Sequence, residues 1–291
     1  MLRVMTSSSG AGIVTRFAPS PTGHLHLGHA YSALLGWRIA KAAKGRFLLR
    51  IEDIDRARCR AEFETAIYDD LAWLGLDWEQ PVRRQSEHFD DYRSALDRLQ
   101  SMDLVYPCFC SRKDIAAAAS APHEGETVIY PGTCRGLDPV LAAERKAAGH
   151  PFALRLDVAK AARQAGPLTF CDAEPEGPFR ETRADPERFG DVVLGRRDAP
   201  ASYHLCATLD DHLQGITLVI RGVDLRPATH LQRLLQAVLG LATPTYRHHV
   251  LLTNQAGERL SKRDGAASLR SLRADGMSAS AVRAMAGFKD A

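Results

Sequence analysis

Short apolar runs alternate with segments of helical period from near the start of the chain. Ile13-Val14-Thr15-Arg16-Phe17 reads as a strand that Pro19, Pro21 and Gly23 break. Apolar residues at helical spacing begin near Leu27 and continue to about Ala43. Gly45 ends that helix, and Phe47-Leu48-Leu49-Arg50-Ile51 reads as a second strand. Strand, glycine-bearing turn, helix and strand make a βαβ unit. Two further helices are expected near 61–74 and 87–100. After Tyr106 the pattern breaks up into short strand-like pieces with many Pro and Gly, as in an inserted subdomain. From Asp191 the alternation returns, with strands expected over Tyr203–Leu209 and Ile216–Ile220. A helix over Pro227–Leu239 and a short strand over Val250–Leu252 follow. The expected architecture is α/β: a parallel-sheet domain in two parts, 12–106 and 191–265, split by an α+β insertion at 107–190. Residues 1–11 read as a disordered polar leader, and 266–291 as a short helical tail.

Composition narrows the classes. At 291 residues, 45% hydrophobic and 25% charged, the chain can bury a sizeable core. A formal charge of +3 excludes a histone-like polycation and an acidic tail, yet allows a nucleic acid held by a local patch. No apolar run reaches the roughly 18–20 residues of a membrane helix, and the start lacks a signal-peptide core. A cytoplasmic, monomeric chain without a membrane partner is the expectation. Six cysteines without a secretory signal favour a metal site or buried thiols over disulfides. Cys108-Phe109-Cys110 and Cys134 place three soft ligands in the insertion and suggest a structural zinc, which takes four. Cys59, Cys171 and Cys206 are isolated and read as packing residues, and His204, His248 and His249 show no ligand pattern.

Two segments carry chemistry. Arg16–His29 reads RFAPSPTGHLHLGH, and His26-Leu27-Gly28-His29 opens a helix directly after a strand-to-loop break. Backbone N–H groups and the helix dipole favour anions there. Gly28 lets a base or ribose approach closely, and two imidazoles at i and i+3 share one face. Far downstream, Gly257–Gly265 reads GERLSKRDG, where Lys262 offers a compact cation that can follow charge moving between phosphates.

These motifs together resemble a class I aminoacyl-tRNA synthetase, whose signatures are of HIGH and KMSKS type. RFAPSPTGHLHLGHA, Arg50-Ile51-Glu52-Asp53-Ile54-Asp55 and Ile220-Arg221-Gly222-Val223-Asp224-Leu225 are similar to the glutamyl branch, over roughly residues 12–265. That branch continues with a long helical anticodon-binding region, whereas 28 residues follow Arg263 here. With the C-x-C…Y-P-G-T-C pattern of the insertion, this resembles the truncated glutamyl-queuosine tRNA(Asp) synthetases.

The resemblance implies a Rossmann-like catalytic domain and an ATP-dependent glutamyl ligase. Glutamate would be activated without tRNA and transferred to the queuosine base at the wobble position of tRNA(Asp). It implies a glutamate site of Arg16, Phe17, Ala18, Pro19, Ser20, Glu52, Tyr203 and Arg221. Glu52 would hold the ammonium, and Arg221 and Arg16 the side-chain carboxylate. ATP would lie on His26, Gly28, His29, Ser261 and Lys262, with His26, His29 and Lys262 catalytic and Mg2+ travelling with the triphosphate. Asp53 and Asp55 are expected to be structural. Tyr130 is implied as the fourth ligand of one structural zinc, with His123 as its competitor. The alternatives are an ordinary glutamyl-tRNA synthetase core charging the tRNA 3′ end, and a non-catalytic tRNA-binding paralogue.

Overall fold

The computed structural model describes residues 12–111, 113–115, 129–174, 177–196, 201–252 and 267–288. The expected leader, 1–11, lies outside them.

Strand β1 (Val14–Phe17) is buried along its whole length, as a central parallel strand must be. Helix α1 (Leu27–Ala42) returns over the sheet to β2 (Arg46–Ile51), which pairs with β1 in parallel. The turn between them is tight. Arg46 donates its N–H to the Ile13 carbonyl at 2.9 Å, and a Cβ on Gly45 would stand 2.0 Å from that oxygen. Helix α2 (Ala61–Trp73) leads to β3 (Glu79–Arg84), parallel to β2, and α3 (Phe89–Ser101) follows.

The chain then builds β4 (Val105–Cys108), α4 (Pro139–Ala147), β5 (Ala153–Leu156) and α5 (Val158–Ala165). A hairpin of β6 (Thr169–Ala173) and β7 (Arg180–Arg183) precedes β8 (Val193–Gly195). Helix α6 (Tyr203–Leu213), β9 (Leu218–Gly222), α7 (Ala228–Val238) and β10 (Thr245–His249) complete the second half. Two short helices, α8 (Leu269–Ala274) and α9 (Ala279–Met285), follow. Leu269 and Val282 of these helices, with Ala286 and Phe288 just after them, are buried in one core with α1, β2 and α2.

Strand order is β1-β2-β3 in one sheet and β7-β6-β10-β9 in another. Strands β6, β10 and β9 run parallel. The two sheets meet where Thr217 donates its N–H to the Val14 carbonyl at 3.0 Å, setting β9 alongside β1. From that seam α1 carries the chain outward to β2, and α7 carries it the other way to β10. Such a switch point leaves a crevice at the carboxyl ends of the strands.

The strand pairing crosses the borders expected from composition. β4, β5 and β8 form a separate antiparallel sheet that runs past residue 190 to Gly195. The β6–β7 hairpin, inside the expected insertion, instead extends the parallel sheet through β10. Hydrogen-bond partners, not Pro and Gly content, decide which sheet a strand joins.

Two element expectations are corrected. Tyr203–Leu209 is the start of helix α6, not a strand, and residues 205–211 are all buried. A helix buried on every side loses its amphipathic period and reads as a continuous apolar run. The last strand among the described residues is Thr245–His249, and Val250–Leu252 is not a strand. Arg247 and the two histidines disguise it, yet all three are buried with their polar atoms hydrogen-bonded. No helix among the described residues is long and apolar enough to cross a membrane.

Candidate active site

A cleft of about 650 Å3 opens where β1 and β9 end. Its walls include Arg16, Phe17, Ala18, Pro19 and Ser20 from β1 and the loop after it, Glu52 after β2, Tyr203 at the start of α6, and Arg221 on β9. His26, Gly28 and His29 stand at its edge. Every expected glutamate residue and three of the five expected ATP residues therefore face one space. Ser261 and Lys262 lie outside the described residues.

The β1 side of the cleft rests on a buried ionic lattice. Arg16 donates from Nε and Nη2 to both carboxylate oxygens of Asp211, at 2.9 and 3.2 Å. Arg50, fully buried, donates to Asp211 at 2.7 Å and to Glu52 Oε1 at 3.0 Å. Asp210 accepts from Arg83, Gln85 and Tyr92. Burial pushes the Asp211 carboxyl up, but Arg16 and Arg50 outweigh it and hold it down to about 2. Burial wins at Glu52, whose carboxyl is raised despite Arg50 and Arg16. No sequence motif marks Asp210 and Asp211; the one signal is two adjacent acids inside an apolar stretch. Asp53 accepts from the Ser86 N–H and hydroxyl at 2.8 and 2.6 Å, the structural part expected of it.

The β9 side is different. Arg221 is 5% exposed, and its partners are all neutral acceptors. Nη2 donates to Thr229 Oγ1 at 2.7 Å, Nε to His248 Nε2 at 3.2 Å and Nη1 to the Tyr203 hydroxyl at 3.4 Å. No carboxylate among the described residues forms an ion pair with it. A buried, uncompensated guanidinium at a cleft wall can receive an anion, and its planar fork suits a carboxylate.

The two motif histidines build the mouth of α1. His26 is the N-cap, and its Nδ1 accepts from the Gly28 N–H at 3.1 Å. His29 Nδ1 accepts from the His26 N–H at 3.2 Å, which closes a capping box. With both Nδ1 atoms accepting, each neutral ring carries its proton on Nε2, the form that donates to a phosphate oxygen. A Cβ on Gly28 would press on the His26 ring at 3.1 Å.

Away from the cleft, the sulfurs of Cys108, Cys110 and Cys134 lie within 4.8 Å of one another. The Tyr130 hydroxyl sits among them, 3.4 Å from Cys108 and 3.7 Å from Cys110, and accepts the Cys134 N–H at 2.8 Å. Cys110 and Cys134 are 3.5 Å apart. Ligands at about 2.3 Å around one tetrahedral ion stand roughly 3.8 Å apart, so this cluster can hold a metal. Burial pushes the Tyr130 hydroxyl up and the Cys110 thiol up to about 11, so the anionic forms need a cation to offset the cost. His123 lies outside the described residues.

This geometry agrees with the family comparison. The catalytic domain of class I tRNA synthetases (E and Q) matches residues 12–286, and the chain belongs to that family of ATP-dependent ligases. Within it, the chain is 48% identical over 288 residues to the glutamyl-Q tRNA(Asp) synthetase of Rhodobacter capsulatus, covering 95% of this chain and 100% of that protein. It is 41% identical to glutamate–tRNA ligase 2 of Acidithiobacillus ferrooxidans, covering 92% of this chain but 56% of that protein. Among solved structures, a glutamate tRNA ligase from Elizabethkingia meningosepticum, in complex with its amino acid, superposes with a TM-score of 0.73. The identity is 29%, over 87% of this chain and 52% of that one.

Proposed function

We propose that this ligase activates L-glutamate with ATP in the absence of tRNA and then transfers it to the queuosine base at the wobble position of tRNA(Asp). The observation that carries the reading is the uncompensated Arg221 opposite the Arg16–Glu52 lattice in one cleft. A dicarboxylic amino acid matches that wall: its side-chain carboxylate meets Arg221 and Arg16, and its ammonium meets Glu52. Phe17, Ala18, Pro19 and Ser20 shape the space between. Identity along the full length of a glutamyl-Q tRNA(Asp) synthetase supports the queuosine acceptor.

In the first step an oxygen of the glutamate α-carboxylate bonds to the ATP α-phosphorus, and the bond to the bridging oxygen breaks, releasing pyrophosphate. The protein contributes position and charge rather than a nucleophile. His26 and His29 donate to the phosphates beside Gly28, and Ser261 and Lys262 follow the charge that moves to the leaving group. Mg2+ accompanies the triphosphate. In the second step a hydroxyl of the modified base attacks the glutamyl carbonyl, and AMP leaves. Cys108, Cys110, Cys134 and Tyr130 would hold one zinc, which fixes the fold of the insertion, residues 107–190 in outline. The chain works as a monomer.

The likeness to glutamate–tRNA ligase 2 favours a second reading, a core that charges the tRNA 3′ end. Glutamate-dependent ATP–pyrophosphate exchange decides the first step. The proposed function requires exchange with no tRNA present, and exchange that depends on added tRNA contradicts it.

A further inference from the structure

Behind Arg221 lies a chain of groups that the proposed reaction does not use. His248, on β10, is 1% exposed. Its Nε2 accepts from Arg221 Nε, and its Nδ1 is 2.7 Å from Asp172 Oδ1 on β6. The other oxygen of Asp172 accepts from Arg226 Nε at 2.7 Å. Thr229 of α7 reaches both Arg221 and His248, and the Tyr246 ring stacks parallel to the His248 ring at 6.1 Å.

The arrangement has one consistent proton assignment. Arg221 can only donate, so His248 Nε2 must be the acceptor and the ring proton sits on Nδ1, facing Asp172. Burial lowers the imidazole pKa against the pull of Asp172, and Arg221 and Arg226 add to the lowering. His248 is therefore neutral at physiological pH.

Resting on the glutamate reading above, we propose that His248 is a positioning and specificity residue. It aims Arg221 through a neutral acceptor, its tautomer held by Asp172, and so leaves the guanidinium charge for the substrate carboxylate. Arg16 shows the alternative, since Asp211 there satisfies the same kind of side chain with a counter-ion. A carboxylate in the place of His248 would orient Arg221 equally well but would neutralise it. Glutamine would then bind nearly as well as glutamate. Because Arg221 holds the same charge before and during the reaction, its orientation affects binding more than the chemical step.

The test is steady-state ATP–pyrophosphate exchange with H248A and H248Q in the full chain, with glutamate and with glutamine. It is joined by nitrogen-15 NMR of the histidines, the His248 signals being those lost in H248Q. H248A leaves the Arg221 Nε–H without its acceptor, so KM for glutamate should rise about 10- to 100-fold while kcat stays within about threefold. The preference for glutamate over glutamine should shrink with it. The glutamine side chain reaches the place of Nε2 with an uncharged oxygen, so H248Q should return KM to within about threefold of the starting protein. NMR should show a neutral ring protonated on Nδ1 at pH 7. Unchanged KM in H248A, a loss confined to kcat, equal losses in H248A and H248Q, or a proton on Nε2 each overturns the proposal. If H248A does not fold, H248Q and the tautomer decide it. Wild-type protein with no glutamate-dependent exchange removes the glutamate reading and this inference together. Wild-type exchange with an indifferent H248A removes only the inference.

Discussion

Two arginines on neighbouring strands of one cleft have opposite electrical surroundings. Arg16 shares Asp211 with the fully buried Arg50, and Arg50 also holds Glu52. Arg221 meets a histidine, a threonine and a tyrosine, none of them charged. Burying a charge is costly unless a partner offsets it. The compensated arginine is already neutralised within the fold and, in the proposed pocket, adds a second contact to the substrate carboxylate. The uncompensated one is stabilised further only when an anion arrives, which makes it the proposed receptor.

The widest gap between the two should appear in Arg221→Ala. Losing the receptor charge should lower kcat/KM for glutamate by tens to thousands of fold, on the order of 2–5 kcal/mol, with the melting temperature changed little. Exchange kinetics and a thermal melt on one preparation check both halves. Comparable activity toward glutamine in the unmodified protein would erase the contrast.

Asp211→Ala should invert that pattern. It leaves Arg16 and Arg50 buried without their shared carboxylate, so stability should fall by about 3–5 kcal/mol in a denaturant titration. The pH sign follows from the depressed carboxyl at about 2. Against an unfolded value near 3.9, its stabilisation is complete above roughly pH 4 and is lost as pH falls toward 2. Asp211→Ala should therefore flatten acid unfolding in that window.

The cysteine cluster lies apart from both arginines and should report neither effect. Metal analysis should find about one zinc per chain, lost in Cys134→Ser and retained in Cys206→Ser. Loss of zinc should destabilise the insertion and weaken transfer to RNA more than adenylate formation.

Glu52 gives the smallest and most graded effect. Burial raises its carboxyl, so the anion proposed to receive the ammonium is lost at a higher pH than for an ordinary glutamate. KM for glutamate should climb on acidification while free glutamate, with a side-chain pKa of about 4.3, is still ionised. Glu52→Gln should raise KM throughout and remove that part of the pH dependence.

What the sequence shows of this site is its local part. Arg16, Glu52, His26, His29 and Arg221 stand in contiguous motifs beside strand ends, and the cleft gathers all of them. What it hides is long-range. Asp211 matters because it lies 195 residues from Arg16 in sequence and 2.9 Å from it in space. His248 becomes meaningful only when three parallel strands bring Asp172, His248 and Arg221 onto one face of the sheet, with His248 opposite Arg221 and Asp172 opposite Tyr246. The same burial explains the misread elements. The buried run 205–211 of α6 leaves no exposed polar face, and β10 buries polar side chains that elsewhere mark a loop.

The central claim, activation of glutamate followed by transfer to a base rather than to the 3′ end, is tested by locating the label. Queuosine-containing tRNA(Asp) is incubated with the enzyme, ATP and labelled glutamate, then cut by nuclease into anticodon-stem and acceptor fragments. The account predicts label in the anticodon-stem fragment and none at the 3′ end. Label confined to the acceptor fragment would contradict it.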